Sequence, residues 1–302
     1  MPDPWAPLFD GAGRRIPAFQ RALLAAVARA RAGATADALA ARLRAGDTTG
    51  AFELAWTAWQ EAAAPLGREI TRQLRDALEA GGEAARVIER GRLLPALDIT
   101  NPEAVRWAQT RSAELVREIS AETRQVIRAV IVRAFRDGLA PDDTARELRG
   151  VIGLTTRQEQ AVAAFRDRLN RLRERPPGSA ADTNLRRVSN RGLTADRVND
   201  LVAQYQARLL RQRTTTIART EIMTASHEGQ RQLWSQAVQD GALRPDNQER
   251  RWIVTPDDRL CPLCQALEGA RAALDGGKYP GGIPGPPLHP NCRCTEGLVE
   301  AR

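Results

Sequence analysis

Histidine is nearly absent from this chain of 302 residues, with two in all, and lysine is rarer still: Lys278 alone among 45 basic side chains. So few histidines leave little material for imidazole-driven acid–base chemistry. Aromatic residues make up only 4%, which disfavours a sandwich or barrel and favours Ala/Leu/Arg-rich helices. No apolar run approaches the ~18 residues of a membrane span. Residues 1–16 contain Asp3, Asp10 and prolines but no apolar core, so no secretory leader is expected and the chain is expected to start life in a cytosol. The four cysteines all fall between Cys261 and Cys294. Such clustering in a reducing compartment points to metal rather than disulfides, and the length excludes a small disulfide scaffold.

What is abundant is arginine, and it is unevenly spread. The net charge is +8, yet residues 151–213 hold 13 basic and 6 acidic side chains, while the flanking segments are close to neutral. Arg166, Arg168, Arg171, Arg173 and Arg175, then Arg186, Arg187, Arg191 and Arg197, form a basic middle stretch. It is either a contact for phosphates or an acidic protein surface, or a solvated face. The general preference for arginine over lysine carries no functional weight.

Periodicity predicts a mainly α protein, an extended helical body ending in a small α+β, zinc-knuckle-like module with little sheet. Apolar residues recur at helical spacing from Arg14 to Arg44, with a break at Gly33. A second run through Phe52, Trp56 and Trp59 is expected to be interrupted at Pro65 and Gly67, to resume through Ile70 and Leu74, and to stop at Gly81-Gly82. Asn101-Pro102-Glu103 reads as cap, first-turn proline and first-turn acid of a long helix that Gly138 ends. A short helix follows Pro141, and Thr155 and Thr156 offer overlapping capping boxes for the next. Arg175-Pro176-Pro177-Gly178-Ser179 opens a linker near 175–184. Beyond it, one helix is expected from Thr194 to Leu209 and another from Thr214 to Gln239. Three regions result: 1–137, helical and suited to assembly contacts; the basic middle 138–213; and 214–302, where a Trp252-Ile253-Val254 strand candidate precedes the cysteines.

Cys261-Pro262-Leu263-Cys264 and His289-Pro290-Asn291-Cys292-Arg293-Cys294 supply five potential ligands. Residues three apart can reach one ion from a tight turn, so structural Zn2+ held by Cys261, Cys264, His289 and Cys292 is the first reading. Cys294 is the alternate for Cys292, because alternate residues of an extended segment face opposite sides. Asp257 and Asp258 fit turn-forming or supporting roles. In the preceding helix, Ala218, Ile222, Ala225, Gly229 and Leu233 form a core stripe, with Gly229 suited to close approach. Arg219 and Glu221, beside that stripe, are expected to join a structural polar network against the C-terminal module rather than to act as catalytic groups.

Ile217-Ala218-Arg219-Thr220-Glu221, Trp252 ahead of Asp257-x-Arg259-x-Cys261-x2-Cys264, Leu267-x-Gly269 and Pro287-x-His289-Pro290-x-Cys292-Arg293-Cys294 together resemble the phage head morphogenesis family, minor capsid proteins such as the F protein of phage Mu and the SPP1 minor head protein. The resemblance implies a non-enzymatic minor head protein of a tailed phage or gene transfer agent, assembled in the host cytoplasm and then retained in the head interior or portal region. Its implied partners are the portal protein, the major capsid protein and packaged double-stranded DNA. Some relatives carry an added enzymatic domain, which is not expected after Cys294 here. The competing readings are a zinc-dependent nuclease using His289 and His227, a transferase using Arg219 and Glu221, or a zinc-containing DNA-binding adaptor. Pro290 and Asn291 do not supply the general base that a His-Asn-His nuclease needs.

Overall fold

A computed structural model describes residues 5–87, 92–175, 193–255 and 260–301. Among them are eight α-helices: α1 (Trp5–Gly33), α2 (Ala36–Arg44), α3 (Thr48–Ala84), α4 (Pro102–Asp137), α5 (Pro141–Val151), α6 (Thr156–Glu174), α7 (Ala195–Gln239) and the single turn α8 (Pro262–Gln265). Three strands, β1 (Gln248–Ile253), β2 (Arg271–Ala273) and β3 (Thr295–Glu300), complete the set. Most of the linker, Arg186, Arg187, Arg191, and residues 256–259 with Asp257, Asp258 and Arg259, lie outside the described residues.

The helix boundaries follow local chemistry. Thr35 Oγ1 accepts from the Ala38 N–H at the start of α2, and Asn101 Oδ1 accepts from the Glu103 N–H at the start of α4. Gly138, at φ +64°, ends α4. Of the two overlapping capping boxes the chain uses Thr155/Gln158, each side chain bonding the other's backbone N–H.

Two expected breaks are absent. α3 runs unbroken through Pro65 and past Gly81-Gly82 to Ala84. A mid-helix proline forfeits one hydrogen bond, and burial of Ala62, Ala63, Leu66 and Ile70 around it offsets the loss. α7 is one helix of 45 residues rather than two. Within it Thr220 and Thr224 each donate through Oγ1 to the carbonyl four residues back, at 2.8 Å, so that their hydroxyls are satisfied inside the helix.

The helices pack into two compact units, each built from non-contiguous segments. One comprises residues 24–65 and 116–213. Its core includes Leu39, Trp59, Val126, Val130, Leu148, Val162 and Leu169. Trp59 donates its indole N–H to Ser120 at 2.9 Å, and Trp56 lies under the Arg124 guanidinium. Arg133 of α4 pairs with the buried carboxylates of Glu147 on α5 and Glu159 on α6, and burial pushes the Glu159 carboxyl above its usual range.

The other unit comprises residues 1–23, 66–115 and 214–302, and it contains the small sheet of the expected C-terminal α+β module. The strands form an antiparallel sheet in the order β2-β1-β3, with Arg250 opposite both Ala272 and Leu298. β2 is too short, and β3 too interrupted by Gly297 and buried Glu296, to show an alternating pattern. Leu298 of β3 joins Leu233, Trp234 and Ala237 of α7 in one core. Two glycines let α3 and α7 touch: a Cβ on Gly81 would stand 1.8 Å from the Ser226 carbonyl oxygen, and one on Gly229 would stand 1.8 Å from that of Leu78. The close approach expected at Gly229 is therefore reciprocal.

Candidate metal centre

Two tight turns bring the donors together. Cys261 caps α8, its Sγ accepting from the Cys264 N–H at 3.3 Å. The second turn closes where the Cys292 N–H meets the His289 carbonyl at 3.0 Å, and between them Asn291 sits at φ +63°. That strained turn is pinned to α7: the Asn291 N–H donates to Thr220 Oγ1 and its side-chain amide to Thr216 Oγ1, at 3.2 and 3.3 Å. Thr220, in the middle of the Ile217–Glu221 motif, thus connects that motif to the metal-site turn.

All five sequence-predicted donors are brought together. Cys261, Cys264 and His289 form one cluster and Cys264, Cys292 and Cys294 another, with every donor pair in each inside 4.8 Å. Cys264 belongs to both. Its Sγ stands 3.8 Å from that of Cys292, which equals the edge of a tetrahedron built on Zn–S bonds of about 2.3 Å. His289 Nε2 lies 3.1 Å from Cys261 Sγ and 3.2 Å from Cys264 Sγ. Its Nδ1–H donates to the Pro290 carbonyl at 2.9 Å, which leaves the Nε2 lone pair facing the thiols, the orientation a ligating imidazole needs. The donor set therefore fits zinc.

Cys292 and Cys294 do not face opposite sides, as strand alternation would place them. Both are 2% exposed and both reach Cys264, because β3 begins only at Thr295 and the turn before it is not pleated. The Cys294 thiol donates to Cys292, which draws the Cys292 thiol down to about 5, while the same bond and burial push Cys294 up. Burial pushes Cys264 up to about 12. A thiolate at Cys292 suits a metal ligand. The core beneath contains Trp252 and Tyr279, edge to face with centroids 5.2 Å apart. Gly269 anchors the loop, its N–H donating to the Trp252 carbonyl.

The other singled-out residues are placed as follows. The Glu221 carboxylate is 4% exposed and is taken bidentately by Arg111 of α4, Nε–Oε2 2.8 Å and Nη2–Oε1 2.6 Å, rather than by Arg219 or the C-terminal module. The side chains of Arg219 and Glu221 diverge on α7 because adjacent helical faces are separated by 100° per residue. His227 is fully buried; burial lowers its imidazole to about 3, so it is neutral and shielded from solvent. Of the four helix-borne arginines, Arg166 donates to Asn199 Oδ1 at 2.8 Å and Arg168 bonds its own helix at the Ala164 carbonyl. Arg171 and Arg173 are exposed.

A second polar centre escaped the sequence. Glu296, wholly buried, accepts from Arg231 Nε at 2.8 Å, Arg250 Nη1 at 3.1 Å and the Tyr279 hydroxyl at 3.0 Å. Arg250 also donates to the carbonyls of Ala273, Pro284 and Gly277. This network connects α7, β1, β3 and the loop between Ala273 and Pro286. A charged residue two positions after the last cysteine was its only signal.

Among the described residues no helix is long and apolar enough to cross a membrane. No curated protein and no solved structure matches the chain. The model of the family described as Phage Mu protein F like protein matches residues 180–296, from the linker through α7 and the sheet to the buried Glu296.

Proposed function

We propose, from the match of residues 180–296 to the model of the family described as Phage Mu protein F like protein, that the chain is a non-enzymatic minor head protein of a tailed phage or phage-like particle that acts with the portal protein in head assembly. The observation that carries this reading is the family match across the module containing the cysteine cluster. Structural zinc would be held by Cys261, Cys264, His289 and Cys292 or Cys294, and would supply a cross-link between two loops, since folding and metal binding are coupled in such small modules. Supporting a structural role, the donors are held by turns, and Asn291 ties one of them to α7. Against the nuclease alternative, His227 is buried and neutral. Against a transferase using Arg219 and Glu221, the Glu221 carboxylate is consumed by Arg111.

Mass analysis of purified particles tests the reading. The chain should be present at low copy relative to the major capsid protein, and its absence from intact particles would contradict the proposal. A second reading, contact with packaged double-stranded DNA, draws on the exposed Arg171 and Arg173. Replacing both with Gln should weaken DNA binding evenly across sequences and flatten its salt dependence. Unchanged binding would make them a solvated face.

A further inference from the structure

We propose that the exposed stripe Arg124, Arg128, Val132 and Phe135 of α4 is a docking surface for an acidic amphipathic helix of another protein, whose carboxylates meet the two arginines and whose aliphatic side chains cover the valine and phenylalanine. The stripe belongs to the unit of residues 24–65 and 116–213. It lies outside residues 180–296, the stretch that the family model matches, so its partner does not follow from that match. Positions 124, 128, 132 and 135 are spaced by four, four and three, which places their side chains in succession along one helix face. At a rise of 1.5 Å per residue the stripe is about 16 Å long, some three helical turns.

Charge selects the acidic side of the partner. From Thr123 to Arg136, α4 contains four arginines and no carboxylate. Arg133 turns inward to Glu147 and Glu159, and Arg136 pairs with Asp137. Arg124 and Arg128 are exposed and make no ion pair among the described residues. They stand instead over the rings of Trp56 and Phe52 on α3, 5.4 and 5.5 Å from the centroids. A ring beneath a guanidinium holds it in place and leaves its N–H edge able to take a carboxylate. The bond from Trp59 to Ser120 continues the same row of α3–α4 contacts, so the platform is ordered before a partner arrives, which lowers the entropy lost on binding. Glu53 is the only carboxylate of α3 from Thr48 to Gln60, and the face stays positive.

Two free arginines alone would suit phosphates equally well. Val132 and Phe135 decide against that. They are 66% and 83% exposed, and single exposed apolar side chains need no explanation, but two in succession that extend a basic row form a patch. A nucleic-acid backbone is met through its phosphates and sugars and has no aliphatic side chain to lay over them. An amphipathic helix carries acids and aliphatic groups at this same spacing on one face.

The indole N–H of Trp56, under Arg124, reports on binding. In the full chain labelled with 15N, its resonance is assigned as the one missing from the W56F spectrum. The probe is an amidated helical peptide in an Ala/Gln background, with two Glu and two Leu at the spacing of Arg124, Arg128, Val132 and Phe135, made in both orders along the peptide. One order should shift the Trp56 resonance saturably. Exchanging its Glu for Lys, or its Leu for Ser, should weaken binding by about tenfold or more. R128Q and F135S should each weaken it by about tenfold, with the thermal unfolding of both variants close to that of the parent because both side chains face water. Four results would overturn the proposal. They are no saturable shift with either order, equal binding of the Lys peptide, undiminished affinity in F135S, and a Trp56 shift by duplex DNA that F135S leaves unchanged, which would assign the stripe to nucleic acid.

Discussion

A carboxylate removed from water must be paired, and the pairing sets how much its loss destabilises. Glu221 and Glu296 differ in this respect. Glu221 faces one guanidinium, Arg111, whose side chain is 28% exposed and can turn partly to water. Glu221→Ala should therefore destabilise by about 1–3 kcal/mol, and Glu221→Gln, which keeps shape and one acceptor, by less. Denaturant unfolding of the two variants checks the order; full stability of Glu221→Gln combined with complete loss of particle yield would contradict a structural role. Glu296 serves two arginines and a tyrosine with no exposure of its own. Glu296→Ala strands buried Arg250 and should cost about 3–5 kcal/mol, and unfolding that shows no larger loss than Glu221→Ala would overturn this ranking. Glu221 was legible as a charged residue beside a core stripe, but its partner lies 110 positions away in sequence, beyond any local pattern. Glu296 was not legible because its partners, Arg231, Arg250 and Tyr279, come from three separate segments.

Helix starts were readable because a cap is local chemistry: Asn101, Thr155 and the break at Gly33 all stand where their side chains or backbone place them. Helix continuity was not, because tertiary burial decides it. Pro65 and the glycine pair of α3 look like punctuation and are instead accommodated, the proline by buried neighbours and the glycines by the passage of α7. This yields a prediction opposite to helix propensity. Replacing an exposed mid-helix glycine by alanine should gain about 1 kcal/mol. Gly229→Ala must instead push the Leu78 backbone away from a Cβ at 1.8 Å, and backbone cannot yield as a side-chain tip does. Thermal unfolding should show a clear loss of stability for Gly229→Ala and for Gly81→Ala. A gain in either would mean that the two helices are farther apart than described. The cysteine turns were legible for a comparable reason, since three-residue spacing is itself a geometric statement. The convergence of Cys294 was hidden because strand alternation does not extend into the turn before β3.

At the scale of the molecule, long helices make up two units assembled from interleaved segments, and one of them includes a small sheet, a five-donor cluster and a buried ionic network. The family match falls on the stretch that contains these features. The proposed metal staple of the C-terminal module is checked by native mass measurement of the freshly purified, reduced 302-residue chain before and after chelation. One zinc per chain is expected. Its removal, or Cys261→Ser, should expose amides across residues 250–297 to hydrogen exchange, as expected when folding is coupled to the metal. Metal-free chain with full protection of those amides would contradict the account.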